Sequence, residues 1–158
     1  MLKYVDTAVT FAEFPNEVSL CINISGCPCF CDGCHSPYLS KDIGEVLSLE
    51  RLQELIESNK GITLVGFMGG DSDPKEVNKL AKWIRENYPE LHIGWYSGRQ
   101  TLADEVIDLG NFDYLKLGPY IKQFGPLNNP NTNQKFYKID RKTHIMTWCT
   151  DIFWKEAE

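Results

Sequence analysis

Two hydrophobic periods take turns along the chain. Val18 to Ile24 alternates apolar and polar positions and carries β-branched residues, which predicts a strand. Leu49, Leu52, Leu55 and Ile56 then fall on one helical face, with Ser48 as cap and Gly61 as stop. Ile62 to Phe67 is almost wholly apolar, as expected of a strand buried on both faces. Asp73, Pro74 and Glu76 form a helix start with a capping-box pattern. Val77, Leu80, Ala81 and Ile84 are its stripe, and Pro89 marks its end. Leu91 to Tyr96 is a third strand. Leu102, Val106 and Leu109 predict a short helix stopped by Gly110, and Asp113 to Leu117 a fourth strand. Residues 1–17 read as an irregular lead-in or a short hairpin, ending at Pro15 and Asn16. Residues 126–134 are polar and turn-rich and read as loop. Lys135 to Ile139 and His144 to Trp148 predict a C-terminal β-hairpin around residues 140–143, and Ile152, Phe153 and Trp154 pack back on the body.

Strand and helix alternate, so the sheet should be mainly parallel. Each unusual segment follows the C-terminal end of a strand. These are the cysteine-rich stretch after Ile24, Gly69-Gly70-Asp71, Ser97-Gly98-Arg99 and Gly118-Pro119-Tyr120. In parallel α/β folds that edge carries the active site. No domain boundary is visible, so residues 1–158 are read as one domain.

Composition narrows the classes. The formal net charge is −6 with no strong basic block, which argues against a nucleic-acid partner. No stretch reads as a signal peptide or a membrane span, and six cysteines then point to a reducing, cytoplasmic setting with thiols free for metal.

Four of the six cysteines crowd into Cys27 to Cys34. Cys27, Cys31 and Cys34 give the spacing C-x3-C-x2-C, with Cys29 left over. Three thiolates on one short loop can hold three corners of a cubane iron–sulfur cluster and leave the fourth iron open for chemistry. Zinc held by all four thiols is the rival, although zinc sites usually draw ligand pairs from separated knuckles. A disulfide is disfavoured by the compartment. Cys21 lies within a strand and reads as a small buried hydrophobe. Cys149 reads as structural, and Trp95, Trp148 and Trp154 as core or edge packing.

The run Ser25-Gly26-Cys27, Cys31, Gly33-Cys34-His35, followed one strand later by Gly69-Gly70-Asp71, resembles the radical S-adenosylmethionine enzymes. Within them the chain is similar to the small activating proteins of anaerobic ribonucleotide reductase, and Asn133-Gln134-Lys135 matches their late Asn-Gln-basic segment. The resemblance implies a partial, incomplete TIM-like βα barrel. It implies a [4Fe–4S] cluster on Cys27, Cys31 and Cys34, whose open iron chelates S-adenosylmethionine. Reductive cleavage would yield a 5′-deoxyadenosyl radical that takes hydrogen from a glycine of the large reductase subunit. The implied partners are that subunit and an electron donor such as flavodoxin or ferredoxin. Rivals are an activase of another glycyl-radical enzyme, another radical enzyme of the same mechanism, and a non-catalytic iron–sulfur or zinc module.

The implied cofactor contacts are Gly33, His35, Gly69, Gly70, Asp71 and Ser97. Gly69 and Gly70 also suit a plain strand-to-helix turn, His35 a surface loop, and Ser97 a helix cap. Arg99 reads as pairing with an acid. The chain departs from the family pattern at Phe14 to Glu17, by two extra residues between Asp71 and Pro74, and by the additional Cys29.

Overall fold

The computed structural model describes residues 2–26, 43–102 and 105–153. Its elements are β1 (Lys3–Thr10), β2 (Ser19–Ile24), β3 (Glu45–Val46), α1 (Leu49–Ser58), β4 (Leu64–Met68), α2 (Pro74–Asn87), β5 (His92–Tyr96), β6 (Tyr114–Leu117), β7 (Lys135–Ile139) and β8 (Met146–Trp148). They build one mixed sheet in the order β3-β1-β2-β4-β5-β6-β7-β8, open at β3 and β8. The pairs β2–β4, β4–β5 and β5–β6 are parallel, and the flanking pairs are antiparallel. No helix among the described residues is long and apolar enough to cross a membrane.

Local chemistry starts both helices where the pattern places them. Ser48 Oγ accepts from the Arg51 amide at 3.1 Å, and an Asp73 carboxylate oxygen accepts from the Glu76 amide at 3.3 Å. Three expectations change. The sheet is mixed rather than mainly parallel, because β1, β3 and the β7–β8 hairpin add four antiparallel pairings to three parallel ones. The lead-in contains β1, an eight-residue strand antiparallel to β2. Only Tyr4 within it is buried, so it offers no core stripe to read. The described part of the expected helix at 102–109 is turn and extended chain, followed by a 3-10 turn at Leu109–Asn111. There Asp108 accepts from the Gly110 amide at 2.9 Å, a local bond that competes with helix. Of the tail, Phe153 packs on Phe136 at a ring separation of 4.9 Å, Ile152 is exposed, and Trp154 lies outside the described residues.

The period-two alternation sorts the strands onto two faces. Leu20, Ile22, Val65, Phe67, Ile93 and Trp95 face α1 and α2 and join Leu52, Ile56, Val77, Leu80 and Ile84 in the main core. The opposite face is layered by the parallel register. Ser19, Leu64 and His92 align in one row, and Cys21, Gly66, Gly94 and Tyr114 in the next. Asn23, Met68, Tyr96 and Lys116 form the row at the C-terminal ends. The middle row carries two adjacent glycines because Phe14 fills the space above them. A Cβ on Gly66 would fall 2.6 Å from the Phe14 ring, and one on Gly94 would fall 2.2 Å from it. Phe14 is fully buried and packs edge-on against Tyr96 and tilted against Tyr114 and Phe136, with ring separations of 5.0–6.0 Å.

At the other end of the sheet Asp113 ties three elements together. Its carboxylate accepts from Arg141 Nε at 2.7 Å, Arg85 Nη1 at 3.0 Å and the Ile93 amide at 2.9 Å. Burial pushes the Asp113 carboxyl up, but hydrogen bonds from Arg141 and Arg85 outweigh it and hold it below its ordinary value. A depressed folded pKa contributes stability that is fully present above the unfolded value, about 3.9. That contribution is lost as pH falls through the folded value. Asp113→Asn should therefore cost about 3 kcal/mol near neutrality, as breaking a buried pair does. In urea unfolding the gap to the parent should close as pH drops below about 4. An equal gap at every pH would show that charge is not the cause.

Candidate functional site

The parallel register brings the C-terminal ends of β2, β4, β5 and β6 to one edge. The segments leaving that edge are laced together. The Gly69 amide donates to Tyr96 O at 3.1 Å, the Ser97 amide to Lys116 O at 2.9 Å, and the Gly118 amide to Arg99 O at 2.6 Å. The late segment joins them: Asn133 Nδ2 donates to Pro119 O at 3.1 Å and Gln134 Nε2 to Gly118 O at 3.5 Å.

Asp71 is the centre of this lacing. It is 2 % exposed, and its carboxylate accepts from Ser97 Oγ at 2.6 Å and the Gly98 amide at 2.8 Å. Arg99 Nη2 donates to Asp71 O at 3.0 Å, and Arg99 Nε lies 3.8 Å from the Asp71 carboxylate. Asp71, Ser97 and Arg99 thus form one cluster that locks the turn after β4 to the turn after β5. Arg99 pairs with an acid, as its residue type suggests.

Gly69 and Gly70 stand at φ +114° and +101°, where side chains are strained. A Cβ on Gly70 would fall 2.6 Å from Val77 Cγ2, and one on Gly69 would fall 3.1 Å from Ile24 O. The missing side chains are thus accounted for by close packing of α2 and β2. A bulky residue at Gly70 strikes the core first, which makes it a poor probe of ligand space.

Cys27, Cys29, Cys31, Gly33, Cys34 and His35 lie outside the described residues. The residues that flank residues 27–42 are described. Gly26, at φ +73°, is placed so that a Cβ would sit 3.8 Å from Ser72 Oγ, beside the turn after β4. At the other end Ser25 Oγ donates to Ile43 O. Among the described residues no group of three or more His, Cys, Asp or Glu side chains is placed to hold a metal ion. Cys21 is 3 % exposed, and burial, with the charge of Glu13, pushes its thiol up to about 12. That is a packed neutral thiol. Burial also raises Cys149.

The row beneath the edge adds residues that the motifs do not single out. Lys116 is 7 % exposed, and its ammonium donates to Ser97 O at 2.9 Å and Gly118 O at 3.1 Å. It also sits 5.4 Å over the Tyr96 ring. The signal in the sequence was a lysine inside an otherwise apolar strand. Tyr96 O–H donates to Glu13 O, and burial, together with Glu13, holds its phenol well above the ordinary value. Beside the edge, an open cleft of about 550 Å³ lies between the start of α2 and the segment after β5, lined in part by Ser72, Pro74, Lys75, Arg99, Glu105 and Val106.

In sequence, Cys27, Cys31 and Cys34 follow β2, whose C-terminal end lies at this edge. Comparison with known families defines the class: residues 17–114, more than half of the chain, match the 4Fe-4S single cluster domain, and the chain belongs to that family. The matched span runs from just before β2 to the first residue of β6 and so includes the cysteine segment and both turns of the Asp71 cluster. No curated protein and no solved structure matches the chain.

Proposed function

We propose that the chain is a radical S-adenosylmethionine enzyme that activates the large subunit of an anaerobic ribonucleotide reductase in the cytoplasm. Cys27, Cys31 and Cys34 would hold the cluster, and the donor set suits it, since thiolate is the usual ligand of such clusters. When bound and reduced by a flavodoxin or ferredoxin, the cluster would supply the electron for reductive cleavage of S-adenosylmethionine, the source of a radical able to take a hydrogen atom from a partner glycine. The sheet is read as an incomplete βα barrel whose open side the partner covers.

The observation that carries the reading is the convergence at one edge. Gly26, one residue before Cys27, sits beside Ser72 at the end of β2, and the Gly69–Asp71 turn is locked to Ser97–Arg99. The chain's own residues then have definite tasks. Gly69 and Gly70 present bare backbone to the amino-acid end of the ligand, and the resemblance assigns Gly33 and His35 to its adenosine end. Asp71 and Ser97 fix the two turns that flank it. Asn23, Met68, Tyr96 and Lys116 make the floor, with Lys116 as a buried cation tying the turns from below. Phe14 plugs the row underneath, which keeps water from the lower side.

The test is anaerobic mixing of the reduced protein with the reductase subunit and S-adenosylmethionine. A glycyl-radical spin signal and stoichiometric 5′-deoxyadenosine are expected, with little cleavage when the reductase is left out. Fast cleavage without the reductase, and no protein radical with it, would move the assignment to a small-molecule substrate.

A further inference from the structure

The start of β1 touches both ends of the cysteine segment. The Ser25 amide donates to Lys3 O at 2.9 Å, and Ser25 Oγ reaches the same carbonyl at 3.3 Å. The Ser25 hydroxyl also donates to Ile43 O, eighteen positions further on, where the segment returns. From there β3 lies along β1, with Lys3 opposite Val46 and Tyr4 opposite Glu45, and the Leu47 amide donates to Leu2 O at 2.8 Å. Gly44 stands at φ +97°, and a Cβ there would fall 2.1 Å from Tyr4 O, so the returning chain is pressed against the backbone of β1. A register shift between Tyr4 and Asp6 bends β1 at this point. Irregularities of this kind re-aim a strand beside a functional site.

We propose that Leu2 to Tyr4, with Ser25 at their centre, form a clasp that sets the separation between the two ends of residues 27–42, and that Ser25 is a positioning residue for the iron–sulfur cluster. The argument rests on the reading that Cys27, Cys31 and Cys34 hold the cluster. Ser25 stands two positions before Cys27 and is 4 % exposed, and its hydroxyl donates to Ile43 O while lying 3.3 Å from Lys3 O. It is the hydroxyl that joins the two ends directly. A cubane needs its thiolates held at fixed spacing, and iron escapes when one thiolate swings away. Closing the ends of the segment reduces the conformations in which that happens. Without the hydroxyl, the described residues on either side of the segment are joined through β1, by backbone pairing and the Tyr4–Glu45 contact.

The measurement is the rate at which a ferrous chelator strips iron from anaerobically loaded protein at low temperature, well below unfolding. Ser25→Ala is compared with wild type and with Thr63→Ala. Thr63 is a matched control: its hydroxyl accepts from the Val18 amide at 2.9 Å and donates to Glu17 at 3.1 Å, at the opposite end of the sheet. Ser25→Ala should lose iron up to about tenfold faster, the factor expected when one buried hydrogen bond is removed from an opening equilibrium. Thr63→Ala should lose iron at the wild-type rate even if its unfolding midpoint drops as far. Equal rates for Ser25→Ala and wild type overturn the clasp, as do equal rates for the two variants, which would make the effect one of general stability. A cluster that loads normally after Cys27→Ala would overturn the ligand reading itself, and that result is independent of the Ser25 comparison.

Discussion

Cys27→Ala, Cys31→Ala and Cys34→Ala each yield protein that no longer holds an intact [4Fe–4S] cluster, whereas Cys29→Ala loads normally. The expectation follows from coordination. On the proposed ligand set each of the three thiolates would hold one iron corner, and removing one would leave that corner unheld. Cys29 competes poorly because it is separated by one residue from both Cys27 and Cys31, too close to reach a separate corner while its neighbours hold theirs. The described body supplies no group of three or more ligand side chains that could stand in. Its two described free thiols, Cys21 and Cys149, are held in the neutral form by burial. Iron and acid-labile sulfide analysis after anaerobic reconstitution, with the visible absorption band of the cluster, checks all four variants together. Loss of the cluster in Cys29→Ala would return a four-thiol site, the arrangement that suits zinc.

The elements that could be read in advance are those whose signal is local. Ser48 and Asp73 are caps in the sequence and caps in the fold, because a short polar side chain before an apolar stripe has one good use there. The run from Leu64 to Met68 is apolar because helices cover one side and Phe14 the other. What could not be read depends on distant partners. β1 is held by β2 and β3 rather than by its own apolar face, so its polar positions look like loop. Gly66 and Gly94 look like weak strand residues until Phe14 is seen against both. Phe14 to Glu17, a departure from the family pattern, thus supplies the plug of the inner face. The same holds at the site. Asp71 and Ser97 were visible as members of two separate turns. Their mutual bond, and the ammonium of Lys116 below them, exist only once β4, β5 and β6 are aligned.

Asp71→Ala is expected to weaken S-adenosylmethionine binding by at least about tenfold while leaving the iron content at the wild-type level. No cysteine is altered, so the cluster has its ligands. The loss comes from the turns. With the carboxylate gone, the Ser97 hydroxyl and the Gly98 amide lose an acceptor at 2.6 and 2.8 Å in a site that is 2 % exposed. A buried donor left unsatisfied costs about 1–3 kcal/mol. The molecule relieves that cost by letting the turn after β5 move, and the guanidinium of Arg99 loses the carboxylate 3.8 Å away, keeping only its bond to the Asp71 carbonyl. A ligand that needs both turns must then restore their order on binding, which lowers its affinity. Asp71→Asn should sit between the two, because the amide keeps one acceptor and turns the other position into a donor facing a donor. Binding is read by calorimetry on the cluster-loaded protein, and stability by urea unfolding of the same samples. A variant that is destabilised yet binds S-adenosylmethionine with wild-type affinity would show that Asp71 ties the two turns and nothing more, and the ligand would then have to lie elsewhere along the edge.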